Sequence, residues 1–275
     1  MPHIPSELTD NIIDYLCLDP SSLRACSTVC RLFLPRTRFH YFANIDLPGK
    51  LDVLKFHDLL CKSPHIGIYV RCFILGFVLT NAASDNLPLN REIPNDILHY
   101  IISLLPNVQT FVNYTFITPN TSDLIRHPGM RWMHLTTFCA TFRLPTLQSF
   151  SIFIDSFPSL EALAIDGIYW DSLDPAPERP DMVPPTPRLK YLLCQNVQDD
   201  AVFINWFIAR DLAQELISLE YALNSVDPRC YEGLKNLLVA AGPNLLSLQL
   251  TLWSSSQWSF FAPCESFCLS ASLKF

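Results

Sequence analysis

Cysteine and histidine are the residue types in this sequence that could bind a metal or attack a substrate, but their spacing favours neither chemistry. The nearest cysteine pairs, Cys26/Cys30 and Cys264/Cys268, have the i,i+4 spacing of a helix face. A structural zinc site needs four ligands, usually in two close pairs. No histidine lies near enough in sequence to complete either pair. The sequence therefore predicts no metal ligand.

The sequence also lacks the motifs that hold nucleotides or build a hydrolase site. Only seven glycines occur and none form a G-x-G, so there is no Rossmann fingerprint and no P-loop. No G-x-S-x-G elbow is present. The seven histidines form no H-E-x-x-H pair, and we expect each on the surface or on a helix face. Asp199 and Asp200 indicate a helix start rather than an acid/base pair. We predict no catalytic residue and no cofactor, although a triad of distant residues would leave no such signal.

The charge of the chain argues against a nucleic-acid partner. The net charge is −7, and the basic residues are scattered rather than clustered on one face. The densest basic group is Arg31, Arg36 and Arg38, which we interpret as the solvated side of a helix. Hydrophobic residues make up 49% of the chain and charged residues 16%, so the composition supports a sizeable core.

The sequence predicts neither a membrane span nor a secretory signal. Residues 1–16 already carry Glu7, Asp10 and Asp14, with no basic region before an apolar one. The longest apolar run, 72–79, has eight residues and suits a buried strand. The ten cysteines are spread over the chain, and we predict that they are reduced, buried thiols. Together these features favour a cytoplasmic or nuclear protein.

Three short helices are predicted in the first 45 residues. Leu8, Ile12 and Leu16 follow at i, i+4 and i+8, and Ile13 widens this apolar stripe. Ser6 is the predicted N-cap of the first helix. A unit of this size can barely bury its own core.

The next two helices have start signals of their own. Asp19 and Pro20 fit the N-cap and first position of the second helix. Its predicted apolar face carries Leu23, Cys26, Val29 and Cys30. The third helix is predicted to start near Pro35 and to direct two aromatic side chains inward, Phe39 and Phe42.

Beyond residue 45, helical patterns alternate with short β-branched and aromatic runs. Helices are predicted over 51–64 and 94–107, and strands over 69–79 and 108–116. Such alternation favours βαβ units and a parallel sheet. Return helices are predicted over 199–214 and 227–242. The second has Asp227 as N-cap, Pro228 at its first position and Gly242 past its end.

A leucine-containing phrase recurs through this region and suggests a repeat protein. It reads "PNVQTFVNY" at residue 106, "PTLQSFSIF" at 145, "PSLEALAID" at 158, "PRLKYLLCQ" at 187, "ISLEYALN" at 217 and "PNLLSLQLT" at 243. Its apolar anchors are separated by intervals of 39, 13, 29, 30 and 26: Val108, Leu147, Leu160, Leu189, Leu219 and Leu245. The last three intervals are near the length of one leucine-rich repeat, which is about 20–29 residues. Stacked units would form a curved solenoid with an open strand face, whereas an ordinary open α/β sheet is the alternative.

Two segments depart from this pattern. Residues 171–188 contain six prolines and are predicted to be a long surface loop, with a ligand for a proline-binding domain as the alternative. The tail, 256–275, is aperiodic and rich in aromatic residues, and it lacks the polar cap that a repeat array needs. It suggests an altered or shortened repeat region.

The N-terminal residues resemble the F-box family. Ile4-Pro5, Glu7-Leu8, Ile12-Ile13 and Leu16, followed by Leu23, Cys26, Val29-Cys30-Arg31 and Phe33, are similar to the pattern L-P-x-E-[IL]-x-x-x-I-[IL]-x-x-L with L-x-x-[AC]-x-x-V-C-[RK]-x-[FW]. The chain as a whole resembles the F-box-like proteins of mushroom-forming fungi. This resemblance implies an α/β fold with a three-helix F-box at 1–45 and an irregular leucine-rich-repeat-like α/β solenoid at 46–255.

The resemblance also implies a non-catalytic function. F-box proteins bind a Skp-type linker subunit, and through it a cullin, while their repeats hold the substrate of a ubiquitin ligase. The family pattern assigns eight residues to the linker contact: Ile4, Pro5, Leu8, Ile12, Leu16, Leu23, Val29 and Cys30. Leu23, Val29 and Cys30 are expected to be partly internal. A strand face of Phe, Tyr and Leu is expected to bind the substrate. The composition of this face does not indicate which protein the substrate is. The alternatives are an interaction scaffold without ubiquitin transfer, an α/β enzyme with an unrecognised site, and a degenerate, non-functional copy.

Overall fold

A computed structural model describes residues 5–76, 95–117, 132–172, 187–223 and 227–252. Ile4, most of the proline-rich segment and the aperiodic tail lie outside the described residues, so the expectations for them stay predictions. The fold is α/β, and its eight strands follow sequence order in a parallel sheet. The chain divides into two compact units, Met1–Val112 with His127–Trp132, and Asn113–Arg126 with Met133–Phe275. None of the helices in the described ranges is long and apolar enough to cross a membrane.

The described residues contain eight α-helices and eight strands. The helices are α1 Ser6–Tyr15, α2 Pro20–Val29, α3 Leu34–Ala43, α4 Lys50–Lys62, α5 Asn95–Ser103, α6 Leu147–Ile154, α7 Asp200–Ala209 and α8 Pro228–Ala241. The strands are β1 Asn44–Leu47, β2 Cys72–Leu75, β3 Thr110–Ile117, β4 Thr137–Thr146, β5 Ala162–Ser172, β6 Tyr191–Val197, β7 Ser218–Leu223 and β8 Ser247–Leu252. Short 3-10 helices follow α4 and α8, at Pro64–Tyr69 and Gly242–Asn244.

The three predicted N-terminal helices are present, with one correction to their caps. Asp19 caps α2 as predicted, because its carboxylate accepts from the backbone N–H groups of Ser21 and Ser22 at 3.0 and 3.2 Å. For α1 the predicted cap at Ser6 is wrong, because Pro5 occupies the N-cap position and offers no side-chain acceptor. Both α1 and α2 pack against α3.

The rest of the first unit alternates helix and strand, with shorter strands than the sequence predicted. The strand expected over 69–79 reduces to Cys72–Leu75 among the described residues, because Pro64–Tyr69 forms a 3-10 helix. Gly67 in that turn lies so close to Leu104, just past the end of α5, that an added Cβ would clash with the Leu104 carbonyl oxygen. Strand β2 pairs in parallel with β1, from Asn44 opposite Cys72 to Leu47 opposite Leu75.

In the second unit the strands begin at equivalent positions. Thr137, Ala162, Tyr191, Ser218 and Ser247 pair in register across β4–β8, and their sequence numbers differ in turn by 25, 29, 27 and 29. Before each of β4–β7, one carbonyl accepts two consecutive N–H groups at the start of the next strand. Thr136, for example, accepts from Glu161 and Ala162, and Glu161 in turn accepts from Lys190 and Tyr191. The register is therefore fixed by the backbone.

The positions at which the strands pair show that two of the predicted apolar anchors, Leu147 and Leu219, were wrong. The phrase at 145 is not a strand, because Thr146 Oγ1 accepts from the Ser149 backbone N–H at 3.2 Å and caps helix α6. The buried residue two positions before β4 is instead Leu135, and before β7 it is Leu216. With these two anchors the intervals from Val108 to Leu245 become 27, 25, 29, 27 and 29. The spacing of these buried positions is thus more regular than the sequence indicated.

An aromatic cluster fills the core behind β4. Phe138 and Phe142 of the strand contact Phe150 and Phe153 of α6, and Phe157 completes the group with ring centroids 4.9 to 5.8 Å apart. All five rings are fully buried. Helices α7 and α8 pack on each other, and α8 begins and ends as predicted, with Asp227 as N-cap and Gly242 at φ +59°.

Candidate functional site

Helix α1 turns its large apolar side chains away from the unit that contains it. Leu8 and Ile12 are each 54% exposed, and Tyr15 is 91% exposed. These three residues follow at i, i+4 and i+7, so they share one face of the helix. Leu18, just past the end of α1, is 93% exposed. We refer to Leu8, Ile12, Tyr15 and Leu18 as the outer stripe.

The face of α1 next to the outer stripe holds the helix in place. Thr9 and Ile13 are buried there, and Ile13 is fully enclosed. Since the stripe read from the sequence included Ile13, its period alone did not show which side would pack inward. A contiguous exposed apolar stripe is a feature of interaction surfaces, whereas single exposed apolar residues are common on any protein.

The predicted linker-contact residues separate into exposed and internal positions. Pro5, Leu8, Ile12, Val29 and Cys30 are exposed, Leu16 is half-buried, and Leu23 is enclosed in the core of the unit. Val29 is 68% exposed and Cys30 is exposed, because α2 ends at Val29, so both are less internal than expected. Leu23 is internal.

Three further exposed apolar residues lie in or directly after α1 and α2 and were not picked out from the sequence: Tyr15, Leu18 and Leu32. Leu32 is 63% exposed in the turn after α2, close in sequence to Val29. For Tyr15 the missed signal was its i+7 spacing from Leu8, which places it on the same face of α1 as Ile12.

A charged cluster fixes the orientation of α1 on α3. Arg36 of α3 donates to both oxygens of Asp14, with Nε at 2.5 Å from Oδ1 and Nη2 at 2.7 Å from Oδ2, and His40 Nε2 lies 2.6 Å from Oδ1. The hydrogen bonds from Arg36, reinforced by His40, lower the pKa of Asp14 from 3.8 to about 2. Arg36 is thus an ion-pair partner, which corrects its interpretation as part of a solvated basic group.

The second unit offers an open strand face. Alternate residues of β4–β8 are half-buried or exposed while their neighbours are buried, so they lie on the face opposite the core. They form two rows across the strands: Thr137, Ala162, Tyr191, Ser218 and Ser247, then Cys139, Ala164, Leu193, Glu220 and Gln249. The expected face of Phe, Tyr and Leu is wrong in composition, because Phe138 and Phe142 of β4 and most of the described leucines of β4–β8 point into the core.

A polar cluster lies near the carboxyl ends of β5 and β6 on this unit. Asp166 Oδ1 accepts from Gln195 Nε2 at 2.7 Å and from Asn196 Nδ2 at 3.3 Å. Burial raises the pKa of Asp166, and these two donors oppose the shift. Asn196 at φ +55° and Gly167 at φ +118° both adopt left-handed backbone beside it. These two hydrogen bonds link β5 to β6 near their carboxyl ends.

The described cysteines are free thiols, and their burial differs from the prediction. Only Cys194 and Cys230 of the eight described are buried, whereas Cys17, Cys30 and Cys61 are exposed. In the part of the chain that the structure describes, no group of three or more His, Cys, Asp or Glu side chains could hold a metal ion.

Comparisons of the chain with models of protein families, with curated proteins and with solved structures give no match.

Proposed function

We propose that this protein is the substrate-recognition adaptor of an SCF-type ubiquitin ligase. In this proposal α1–α3 form an F-box that binds a Skp-type linker subunit, and the linker recruits a cullin. The strand–helix units that follow form a leucine-rich-repeat-like solenoid that holds a substrate protein. The proposal assigns the chain no catalytic residue and no cofactor, and it places the protein in the cytoplasm or nucleus.

The outer stripe of α1 is the observation that carries this proposal. Leu8 and Ile12 match the apolar positions of the F-box pattern, and both are more than half exposed. An amphipathic helix that exposes its apolar face is suited to lie in a hydrophobic groove of a partner. The buried residues Ile13 and Leu23 hold the three helices together, so the stripe is presented by a folded unit.

The even spacing of the strands supports the second half of the proposal. Strand starts that recur at nearly equal intervals along the chain and pair in register are the pattern of stacked repeats. The two open rows combine small side chains with Tyr191 and Glu220, and burial raises the pKa of Glu220. Such a surface favours a partner that offers hydrogen bonds over one that offers only apolar groups.

The test is a binding measurement between the full chain and a purified Skp-type linker. We expect Leu8→Asp to weaken this binding by roughly 30-fold or more, which corresponds to ~2 kcal/mol, because it places a charge in an apolar interface. The matched control is Leu51→Asp on α4, since Leu51 is 70% exposed but lies outside the outer stripe. Circular dichroism should show both variants folded. Undiminished binding by Leu8→Asp would refute the assignment of this face.

Addition of a purified cullin distinguishes a ligase adaptor from an interaction scaffold. We expect the wild-type chain, the linker and the cullin to elute as one complex, because the linker bridges the other two. A linker complex that excludes the cullin would favour the scaffold instead. The point variant is preferable to deletion of residues 1–45, because α3 also packs on the 3-10 helix Pro64–Tyr69.

A further inference from the structure

We propose that Cys61 is a nucleophilic thiol that exchanges with small disulfides, and that His57 takes its proton. This would make Cys61 a site of reversible S-thiolation on helix α4. The proposal is independent of linker binding, because it uses neither the outer stripe nor the strand rows. It rests on a cluster of four side chains from two helices: His57, Asp58, Cys61 and Tyr100.

Helix α4 brings the thiol and the imidazole together. Val53, Phe56 and Leu60 form its buried stripe, so His57 and Cys61, each one position further on, lie beside that stripe one turn apart. The Cys61 sulfur is 3.6 Å from His57 Nε2 and 3.9 Å from Nδ1. Cys61 is exposed, so a reagent in solution can reach it.

Tyr100 of α5 contacts both His57 and Cys61. Its ring stands edge-on to the His57 ring, with centroids 5.2 Å apart and an interplanar angle of 66°. A hydrogen bond with Cys61 is the first cause of the raised pKa of Tyr100, followed by burial and the charge of Cys61. Tyr100 therefore keeps its proton and can donate it to the sulfur.

Asp58 supports the charge that the reaction creates on the histidine. Its Oδ1 lies 3.6 Å from His57 Nδ1, which is within ion-pair distance of an imidazole that has accepted a proton. Histidine is the side chain best suited to accept a thiol proton near neutral pH. Other titratable groups on α4 and on the elements packed near it are Lys50, Asp52, Lys55 and Lys62, then Asp46, His65, Tyr69, Asp96 and His99.

The reaction balances without a further oxidant. The Cys61 proton moves to His57, and the thiolate attacks one sulfur of a disulfide R–S–S–R. A new sulfur–sulfur bond forms to Cys61, and the old bond breaks with its electron pair on the departing sulfur. The His57 proton completes the product R–SH. Exposure on a helix surface suits this exchange, because the small disulfide needs no enclosed pocket.

The test is the rate at which glutathione disulfide modifies each cysteine of the full chain at neutral pH, measured by peptide mass spectrometry. Cys17 and Cys30 are the internal controls, because both are exposed and neither has a histidine contact in the described structure. We expect Cys61 to react roughly tenfold faster than either control. Equal rates for the three cysteines would overturn the proposal.

Variants of the histidine separate proton transfer from simple exposure. We expect His57→Gln to reduce the Cys61 rate to that of the controls near pH 7, while Cys17 and Cys30 are unchanged. The difference should vanish above about pH 9, where thiols ionise without a base. A Cys61 rate unaffected by His57→Gln at pH 7, or reduced equally at both pH values, would show that His57 takes no proton.

Discussion

Strand β5 buries its large apolar side chains, whereas helix α1 exposes most of its own. Strand β5 encloses Leu163, Ile165 and Ile168, whereas α1 encloses Ile13 and leaves Leu8 and Ile12 more than half exposed. Each strand of the second unit has a neighbour that continues the core, because successive strand starts pair in register. Residues 5–43 form only three helices of ten residues each.

The difference shows how the apolar surface of each region becomes buried. A parallel sheet extends its core when another strand–helix unit packs beside the last one. A small helical unit has too little volume to bury a second apolar face of its own helix. On the proposal made above, a partner protein supplies what the three helices lack. Mutations in the two regions should therefore change different measurements.

Core truncation should give the largest difference between the regions. Phe153→Ala removes a ring packed against Phe138, Phe142 and Phe157, and we expect it to lower the free energy of unfolding by about 3–5 kcal/mol. Ile12→Ala on the exposed side of α1 should change it by less than about 0.5 kcal/mol. Denaturant unfolding of the full chain measures both, and similar losses would contradict the contrast.

Loss of an ion pair should also lower the free energy of unfolding by different amounts in the two regions, but this difference should be smaller than that between the core truncations. Arg210 pairs with Asp155 and donates to Ser151 Oγ at 2.8 Å, and the paired side chains are only 18% and 10% exposed. Arg36 and Asp14 are 34% and 37% exposed. Arg210→Ala leaves a buried carboxylate unpaired, and we expect a loss of about 3 kcal/mol.

Arg36→Ala should cost about 1 kcal/mol or less, because solvent screens that pair. Hydrogen exchange of α6 and α3 reports the two losses separately in the full chain. An Arg36→Ala loss as large as that of Arg210→Ala would show that the first unit depends on its charged cluster more than its exposure implies.

The pH dependence of stability should have opposite signs at Asp14 and Asp166. The folded-state pKa of Asp14 is lowered to about 2, so its contribution is complete above 3.8 and is lost as the pH falls toward 2. The pKa of Asp166 is raised by burial, so its contribution is present below 3.8 and is lost as the pH rises through the folded value.

Asp14→Asn and Asp166→Asn test these signs by unfolding between about pH 2 and pH 7. The stability advantage of the wild type over Asp14→Asn should grow with pH, by less than about 1 kcal/mol because Asp14 is partly exposed. The advantage over Asp166→Asn should shrink with pH. Parallel curves for the two variants would remove this distinction.

Local signals made several elements predictable from the sequence. The cap and first-position pairs Asp19-Pro20 and Asp227-Pro228 begin α2 and α8, and Gly242 lies past the end of α8. Such signals depend only on neighbouring residues, so one sequence is enough to read them. The alternation of helix and strand after residue 45 indicated the α/β class for the same reason.

Features set by tertiary packing were read less well. Leu147 matched the repeat phrase, but the cap at Thr146 made it the first residue of a helix. The true anchor at Leu135 was missed because the residues around it do not match the repeat phrase, which usually begins with proline. The interaction of His57 with Cys61 was also missed, although their i,i+4 spacing in a predicted helix was a usable signal. The outward direction of Leu8 and Ile12 depends on the packing of α1 on α3, which the stripe does not encode.

The carbonyl groups that precede the strands have a consequence for how this chain can evolve. The residues that supply them are chemically unrelated: Thr136, Glu161, Lys190 and Ile217 each accept two N–H groups from the start of the next strand. Because only the main chain takes part, natural selection can alter these side chains without disturbing the alignment of neighbouring units. Copies of such a gene can therefore diversify the surface beside each strand rapidly while inheriting the same scaffold.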